Sequence, residues 1–325
     1  MPATHSGPIE VARLIGQRPP FHLLAPEALG GLISEIEIEF HRAGSTISGE
    51  RLVRVVHSGA VDDGGRLLGP GAALPAGSRA TAAQDSLCYR IPATAAGVLA
   101  DHGSSGPKSS APCPRPTRHS LRSHWTEASW CAIDLELTGL DPRNDHIVAI
   151  GAVPIERGRV VLGRAMYTLV RSSRPSGRGA LLAHNLRPED LEDAPAIDDA
   201  LELLRGALST HHPVFHTAVI ERSFLGPLFA RRRARLPESA DTQVLGRLWL
   251  LQRGDPATAG LPLTRLARLL GQLTEEPHHA LADALMTALA FIALAEHLDA
   301  SESQTVGRLI RAGEGFLGAR RFGPA

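Results

Sequence analysis

Glu35-Ile36-Glu37-Ile38-Glu39-Phe40 alternates polar and apolar positions without a break, the period of a strand with one buried face. A turn at Ala43-Gly44-Ser45 follows, then a strand from Arg51 to Val56, a break at Ser58-Gly59, and a strand from Ser86 to Ile91 before Pro92. Short strands punctuated by glycine predict a small barrel or jelly roll over residues 1–100. Residues 101–124 lose all apolar periodicity and are rich in Pro, Gly, Ser and Arg, with Pro112, Pro114 and Pro116 on alternate positions. Such a segment cannot bury enough surface to offset its ordering entropy, so it predicts a flexible linker. Beyond it the period becomes mixed. Cys131 to Leu137 reads as a strand, and Ile147 to Ile155, with a turn at Arg157-Gly158-Arg159, opens a meander. Ile197, Leu201, Leu204 and Leu208 recur at helical spacing, as do Leu263, Leu266, Leu269 and Leu270, with Gly271 placed to cap the second helix. Pro277 precedes the last helix. Its most apolar stretch, Ala284 to Leu298, is shorter than a membrane span and predicts a buried helix. This order predicts an α/β fold with a mixed sheet over residues 125–300 and a tail over 301–325.

Composition narrows the classes. The chain has 325 residues, 43% hydrophobic and 21% charged, which predicts a soluble protein of two domains. Its formal net charge is zero, which argues against a protein that coats nucleic acid but leaves room for an enzyme gripping only a strand end. Lys108 is the only lysine, a bias that reads as GC-rich coding and not as phosphate recognition. Cys88, Cys113 and Cys131 are too scattered for a disulfide framework or a zinc cage, and no signal peptide is visible from Met1 to Pro20. A reducing, cytoplasmic setting without membrane attachment is expected.

Three segments carry candidate chemistry. In Ile133-Asp134-Leu135-Glu136-Leu137-Thr138-Gly139-Leu140 the two acids share one face of a strand whose other face is apolar. Two adjacent carboxylates repel, and burial costs several kcal/mol each unless a cation lies between them. The alternative is a solvated edge strand, in which acids alternate harmlessly as in Glu35 to Phe40. In Pro277-His278-His279-Ala280-Leu281-Ala282-Asp283 the proline places His278 in a loop entering a helix, with Asp283 in an early turn. That acid serves equally as a helix-dipole partner. In Pro213-Val214-Phe215-His216-Thr217-Ala218-Val219-Ile220-Glu221 a short strand runs into a helix, where Glu221 reads either as a site acid or as a solvated partner of Arg222.

Taken in order, residues 125–298 resemble the DEDDh exonucleases, the family of the bacterial polymerase III proofreading subunit, with a ribonuclease H-like fold. Asp134, Glu136, Thr138 and Gly139 match its first motif, His216 to Leu225 its second, and His278 with Asp283 its third. Ile150 to Val153, His184 to Leu191 and Asp241-Thr242 match connecting landmarks. The resemblance implies two ions of Mg²⁺ or Mn²⁺ held by Asp134, Glu136, Glu221 and Asp283, with Asp134 bridging and His278 as general base. It implies further that Leu137, Thr138, Gly139, Leu140, His216 and Thr217 bind substrate, a nucleic acid with a free 3′ end, DNA before RNA. His279 breaks the family spacing. Glu221 and Thr217 stand where the motif has aspartate and asparagine, which keeps open a non-catalytic module that only holds strand ends. Arg231, Arg232 and Arg233 open the densest basic run, read as a solvated helix face or as a contact to substrate phosphates.

Residues 20–100 resemble the cyclic-nucleotide-binding-like β-roll through Pro20 to Leu24, Ala43 to Ile47 and Ser58 to Val61. Arg79-Ala80-Thr81-Ala82 is similar to its phosphate-binding stretch, so Arg79 and Thr81 are the candidate ligand contacts. The glutamate expected near Gly71-Ala72 is missing. A degenerate domain used for packing or for homodimer contacts is therefore expected, with ligand gating of the nuclease half as the rival.

Overall fold

A computed structural model describes residues 7–49, 51–100, 120–256, 260–273 and 278–312. Pro277, Cys113 and residues 101–119 of the expected linker lie outside them. In the first part, helices α1 (Gly7–Ile15) and α2 (Pro26–Ile33) precede strands β1 (Glu37–His41), β2 (Thr46–Ser48), β3 (Leu52–Ser58) and β4 (Val61–Asp63). Strands β5 (Arg66–Leu68), β6 (Ala73–Leu74), β7 (Arg79–Ala82), β8 (Ser86–Pro92) and helix α3 (Ala93–Ala100) complete it. The second part opens with β9 (Ser129–Leu137), β10 (Ile147–Glu156), β11 (Arg159–Val161) and β12 (Met166–Leu169). Helices α4 (Arg178–His184), α5 (Pro188–Leu191) and α6 (Ile197–Leu208) follow, then β13 (His212–Phe215), α7 (Ala218–Arg231) and β14 (Ala240–Asp241). The chain ends in α8 (Thr242–Gln252), α9 (Leu263–Leu269), α10 (Ala280–Ser301) and α11 (Val306–Arg311).

The two parts share one ten-stranded sheet in the order β14-β13-β9-β10-β11-β1-β8-β3-β6, with β12 on β10. The seam is β1 against β11, where Glu37 and Ile38 face Val161 and Val160. A second sheet, β2-β7-β4-β5, closes over the β3–β8 region, and Ile47, Val56, Val61, Leu68, Ala80 and Cys88 fill the space between. The largest core runs unbroken from Val11 and Phe21 through Ile38 and Val160 to α10. The ends of the expected linker and tail also depart from free chain. Gly307 N donates to Leu121 O at 2.8 Å, Val306 N to Ser123 O at 3.0 Å, and His124 lies 2.8 Å from Asp299.

In β9, Ile133 and Leu135 join a core with α6 and α7, while Trp130 and Ala132 face the core shared with α8 and α10. The period of two thus turns Asp134 and Glu136 toward α10. That helix, 22 residues long, meets the length and hydropathy of a membrane span, but 83% of its apolar window is buried inside the protein.

The acids of β1 are not harmlessly solvated, as the alternation suggested. Glu39 is buried, accepting from Arg54 Nε at 2.6 Å and lying 3.1 Å from His41, while Glu37 pairs with Arg90. Arg159 of β11 approaches both acids, at 3.8 Å from Glu37 and 3.7 Å from Glu39, so the network spans the seam. Burial alone would raise the pKa of Glu39, but His41 and Arg54 outweigh it and hold it at about 2. The stability this acid contributes is complete above its ordinary value of 4.5 and is lost as pH falls toward 2. Glu39→Ala leaves Arg54 buried and unpaired, so a loss of about 3 kcal/mol is expected in urea unfolding at pH 7, shrinking below pH 4. A variant as stable as the wild type at pH 7 would show that water solvates Arg54 in its place.

Candidate active site

The carboxylates meet where β9 ends. Asp134, Glu136 and Asp283 each offer an oxygen within 4.8 Å of the others. Glu221, in the first turn of α7, stands outside that trio but close enough for its charge to act on Asp134. Cross-strand register explains the arrangement. Asp134 faces Gly151 and Glu136 faces Ala149 on β10, and a bulge at Val148 separates that pair from Leu137 and Ile147. A Cβ on Gly151 would lie 2.2 Å from Ala280 O, so the bare glycine lets the first turn of α10 rest on the strand beside Asp134. Asp283, one turn along, then reaches the cluster.

Electrostatics mark the cluster as unfinished. Burial, then the charges of Asp283, Glu136 and Glu221, push the Asp134 carboxyl well up. Burial and Asp283 raise Glu136 to about 8, and burial followed by Asp241 raises Glu221 to about 8. Burial raises Asp283 to about 6, against the pull of the His278 backbone, whose N–H donates to Asp283 Oδ2 at 2.9 Å. Glu136 is 8% exposed and Glu221 7%, and Oε1 of the first and Oε2 of the second are buried without a hydrogen-bond partner. Orphaned, mutually repelling oxygens are the donor set that a hard divalent cation completes.

His278 is exposed at the mouth, in the left-handed region with φ 69°. Its neighbour His279 caps α10, stacks on Tyr167 with ring centroids 4.6 Å apart and lies 3.8 Å from Glu10 of α1, which makes it a brace. Leu140 stands 75% exposed on the loop after β9. His216 and Thr217 both have partners within the fold. The His216 ring bonds Thr242 Oγ1 and Leu261 O, both at 2.9 Å, and burial lowers its pKa. Thr217 starts α7 with φ 71°, an uncommon place for a β-branched residue, and its hydroxyl accepts from Gln243 Nε2 at 3.0 Å. The basic run is split: α7 ends at Arg231, Arg232 is paired with Asp198, and Arg233 turns away with φ 54°. Arg79 and Thr81 are both exposed on β7.

Four further residues hold this geometry, three of them within the connecting landmarks and the fourth, Asp145, outside every motif. Gly151 seats α10. Asp145 accepts from Thr138 Oγ1 and from Asp141 N, each at 3.0 Å, and so fixes the loop that carries Gly139 and Leu140. Asp241 caps α8 and accepts from Ala218 N at 2.9 Å, anchoring the start of α7. His184 is buried, with Nδ1 accepting from Leu186 N at 3.0 Å, and its ring also bonds the Leu137 backbone. An acid a few residues past a Thr-Gly turn is the one readable signal for Asp145.

The mixed sheet carries two acids on its central strand, and the covering helix sets a third against them. Residues 131–291 match the exonuclease family model, so the C-terminal half carries an exonuclease domain. The chain is 31% identical over 180 residues to a PolC-type DNA polymerase III of Thermotoga petrophila, covering 54% of this chain and 12% of that protein. It is 29% identical over 188 residues to the 3′-5′ exonuclease DinG of Bacillus subtilis, covering 57% of this chain and 19% of that protein. Among solved structures, Exonuclease X in complex with 5′ overhanging duplex DNA shares 23% identity at a TM-score of 0.44, over 56% of this chain and 98% of that one. The chain thus spans less than a fifth of the length of the two curated relatives.

Proposed function

We propose that this protein is a metal-dependent 3′→5′ exonuclease that removes nucleoside monophosphates from the 3′ end of single-stranded DNA, with RNA as the second substrate. The observation that carries the reading is the trio of Asp134, Glu136 and Asp283 within 4.8 Å, with two buried oxygens of Glu136 and Glu221 lacking partners. Asp134, Glu136, Asp283 and Glu221 would hold two divalent ions, and an all-oxygen donor set favours Mg²⁺ or Mn²⁺ over zinc. Bound there, such ions activate water and stabilise a leaving 3′-oxygen. His278, exposed at the mouth and tied through its backbone to Asp283, takes the proton of the attacking water on its ring. The backbone from Leu137 to Gly139, fixed by Asp145, holds the terminal 3′-hydroxyl, and the exposed Leu140 packs on the last base.

Glutamate at 221 keeps the charge of the usual aspartate one methylene farther out, and it still reaches the field of Asp134. The N-terminal region, a degenerate roll on the cyclic-nucleotide-binding pattern, serves in this reading as a structural wing. Its β1 extends the catalytic sheet, and Glu10 braces the loop before α10.

Degradation of a 5′-labelled single strand of DNA, and of the matching RNA, tests the proposal with magnesium, manganese or EDTA. The expected result is a metal-dependent ladder shortening from the 3′ end, reduced at least about a hundredfold in Asp134→Ala and in His278→Ala. No ladder with either strand and either metal would sink the enzyme reading and leave a module that holds strand ends.

A further inference from the structure

A general base is usually aimed by a third group on its far side, and the His278 ring has none: it makes no hydrogen bond, ion pair or ring contact among the described residues. Its aim is therefore carried by the backbone on either side. The residue stands in the left-handed region, at φ 69°, where a residue other than glycine persists only if its surroundings hold it. One hold lies within the centre, the bond from His278 N to Asp283 Oδ2 at 2.9 Å. The other is His279, the next residue, and part of what fixes it comes from outside residues 131–291, the span that matches the exonuclease family.

His279 is clamped on two sides. Its ring lies flat on Tyr167 of β12, with centroids 4.6 Å apart and planes 20° from parallel. Tyr167 pairs across the sheet with Gly151, and Gly151 with Asp134, so the tyrosine, the seat of α10 and the acid share one row and one face. At the edge of the ring, His279 Nε2 stands 3.8 Å from Glu10 Oε2, and Arg13 Nε donates to that same oxygen at 2.8 Å from the next turn of α1. The helix that carries both is itself seated. A Cβ on Gly7 would lie 2.0 Å from Ala165 O, so α1 starts flush against the backbone that leads into β12. Burial, then the charges of Glu10 and Glu136, push the Tyr167 hydroxyl up to about 12, which sets the ring between α1 and the carboxylate centre. Asp283 N in turn donates to His279 O at 3.0 Å, so the clamped residue also starts the turn that carries the third acid.

We propose that Glu10, with Arg13 behind it, is a positioning residue for the reaction: by fixing His279 against Tyr167, it aims the His278 ring at the attacking water. The inference rests on the exonuclease reading, in which His278 is the general base, and it gives the first part of the chain a share in the chemistry and not only in the sheet. Glu10 itself touches no reacting atom. Without it His279 keeps its stack on Tyr167, so the fold stays and the aim of His278 loosens.

The test is a double-mutant cycle in the full chain, read as kcat and KM for removal of the 3′-terminal nucleotide from single-stranded DNA with Mn²⁺. Glu10→Ala should lower kcat about tenfold, a part of the hundredfold that about 1 Å of misplacement costs, with KM changed less than about twofold. Its melting temperature should stay within about 3 °C of the wild type, because the side chain is partly exposed and its pair with Arg13 is local to one helix. In the His278→Ala background the same substitution should change kcat by less than about twofold, since no ring is left to aim. A loss of about tenfold in both backgrounds would show a general loosening of structure, and no loss in either would show that His278 is aimed without α1. Either result overturns the positioning role and leaves the exonuclease reading standing. If the wild-type protein releases no nucleotide, the exonuclease reading fails and the positioning role fails with it.

Discussion

In metal-free buffer the melting temperature of this protein should fall between pH 5.5 and pH 8.5, and millimolar Mn²⁺ should restore it at the upper end. The sign follows from the way folding moves each acid. Folding raises Glu136 and Glu221 from 4.5 to about 8 and Asp283 from 3.8 to about 6, so the folded chain holds protons that the unfolded chain releases. The stability tied to those protons is complete below pH 4 and is lost as pH rises through 6 and then 8. Each tenfold gain in proton affinity corresponds to about 1.4 kcal/mol, so several kcal/mol are at stake in a folded state that is stable by about 5–15 kcal/mol in all. A bound cation does the work of the protons. At a hundred times its dissociation constant it adds about 2.7 kcal/mol, worth about 5 °C in a chain of this size. Other groups titrate too: Glu39 and Glu156 act below pH 4.5, while His57, His184 and His216, all lowered from 6.5 by burial, act in the opposite sense below 6.5. The diagnostic quantity is therefore the difference between wild type and Asp134→Asn. The variant should be the more stable of the two at pH 8.5 without metal, should gain nothing from Mn²⁺ and should have no exonuclease activity. Equal melting of both proteins across the range, with no response to Mn²⁺, would mean that the carboxylates are hydrated and not a metal centre.

Much of the site was legible because strand and helix periods are rigid. Asp134 and Glu136 had to share a face once β9 was a strand, and the apolar run after His278 had to be a core helix. Glycine-punctuated short strands predicted a small barrel or jelly roll over the first part, whose strands β1, β8, β3 and β6 instead continue the sheet of the second. What stayed hidden was long-range. No local pattern says that β1 pairs with β11, because Glu35 to Phe40 alternates in the same way whether its polar face meets water or the guanidiniums of Arg54, Arg90 and Arg159. The expectation of a flexible tether rests on the composition of residues 101–124, of which 101–119 lie outside the described residues. The partners of His216 are distant in sequence as well: its ring nitrogens are taken by Thr242 and Leu261, the second 45 residues on. The basic run is ambiguous until the end of α7 leaves Arg231 exposed and sets Arg232 against Asp198 of α6.

Gly151→Ala should disable the enzyme as completely as loss of a carboxylate, although it removes no charge and touches no substrate. The added methyl would sit 2.2 Å from Ala280 O and 2.5 Å from Leu281 N. Both are backbone atoms in the first turn of a helix buried along most of its length, so no side chain can rotate to make room. The helix must lift at its first turn or β10 must bow away from it. Overpacking of this kind costs about 1–3 kcal/mol, and a displacement of about 1 Å at reacting groups lowers the rate about a hundredfold. Asp283 and the His278 loop ride on that turn, whereas Asp134 and Glu136 stay on β9, so the centre is pulled apart from one side. Gly206→Ala in α6, where an added methyl meets nothing within 4 Å, should instead be neutral or stabilise by about 0.5–1 kcal/mol while leaving turnover intact. The two variants compared in urea unfolding and in the exonuclease assay separate the possibilities. If Gly151→Ala keeps wild-type turnover, α10 is not held against the strand at this point, and the route by which Asp283 reaches the centre must be a different one.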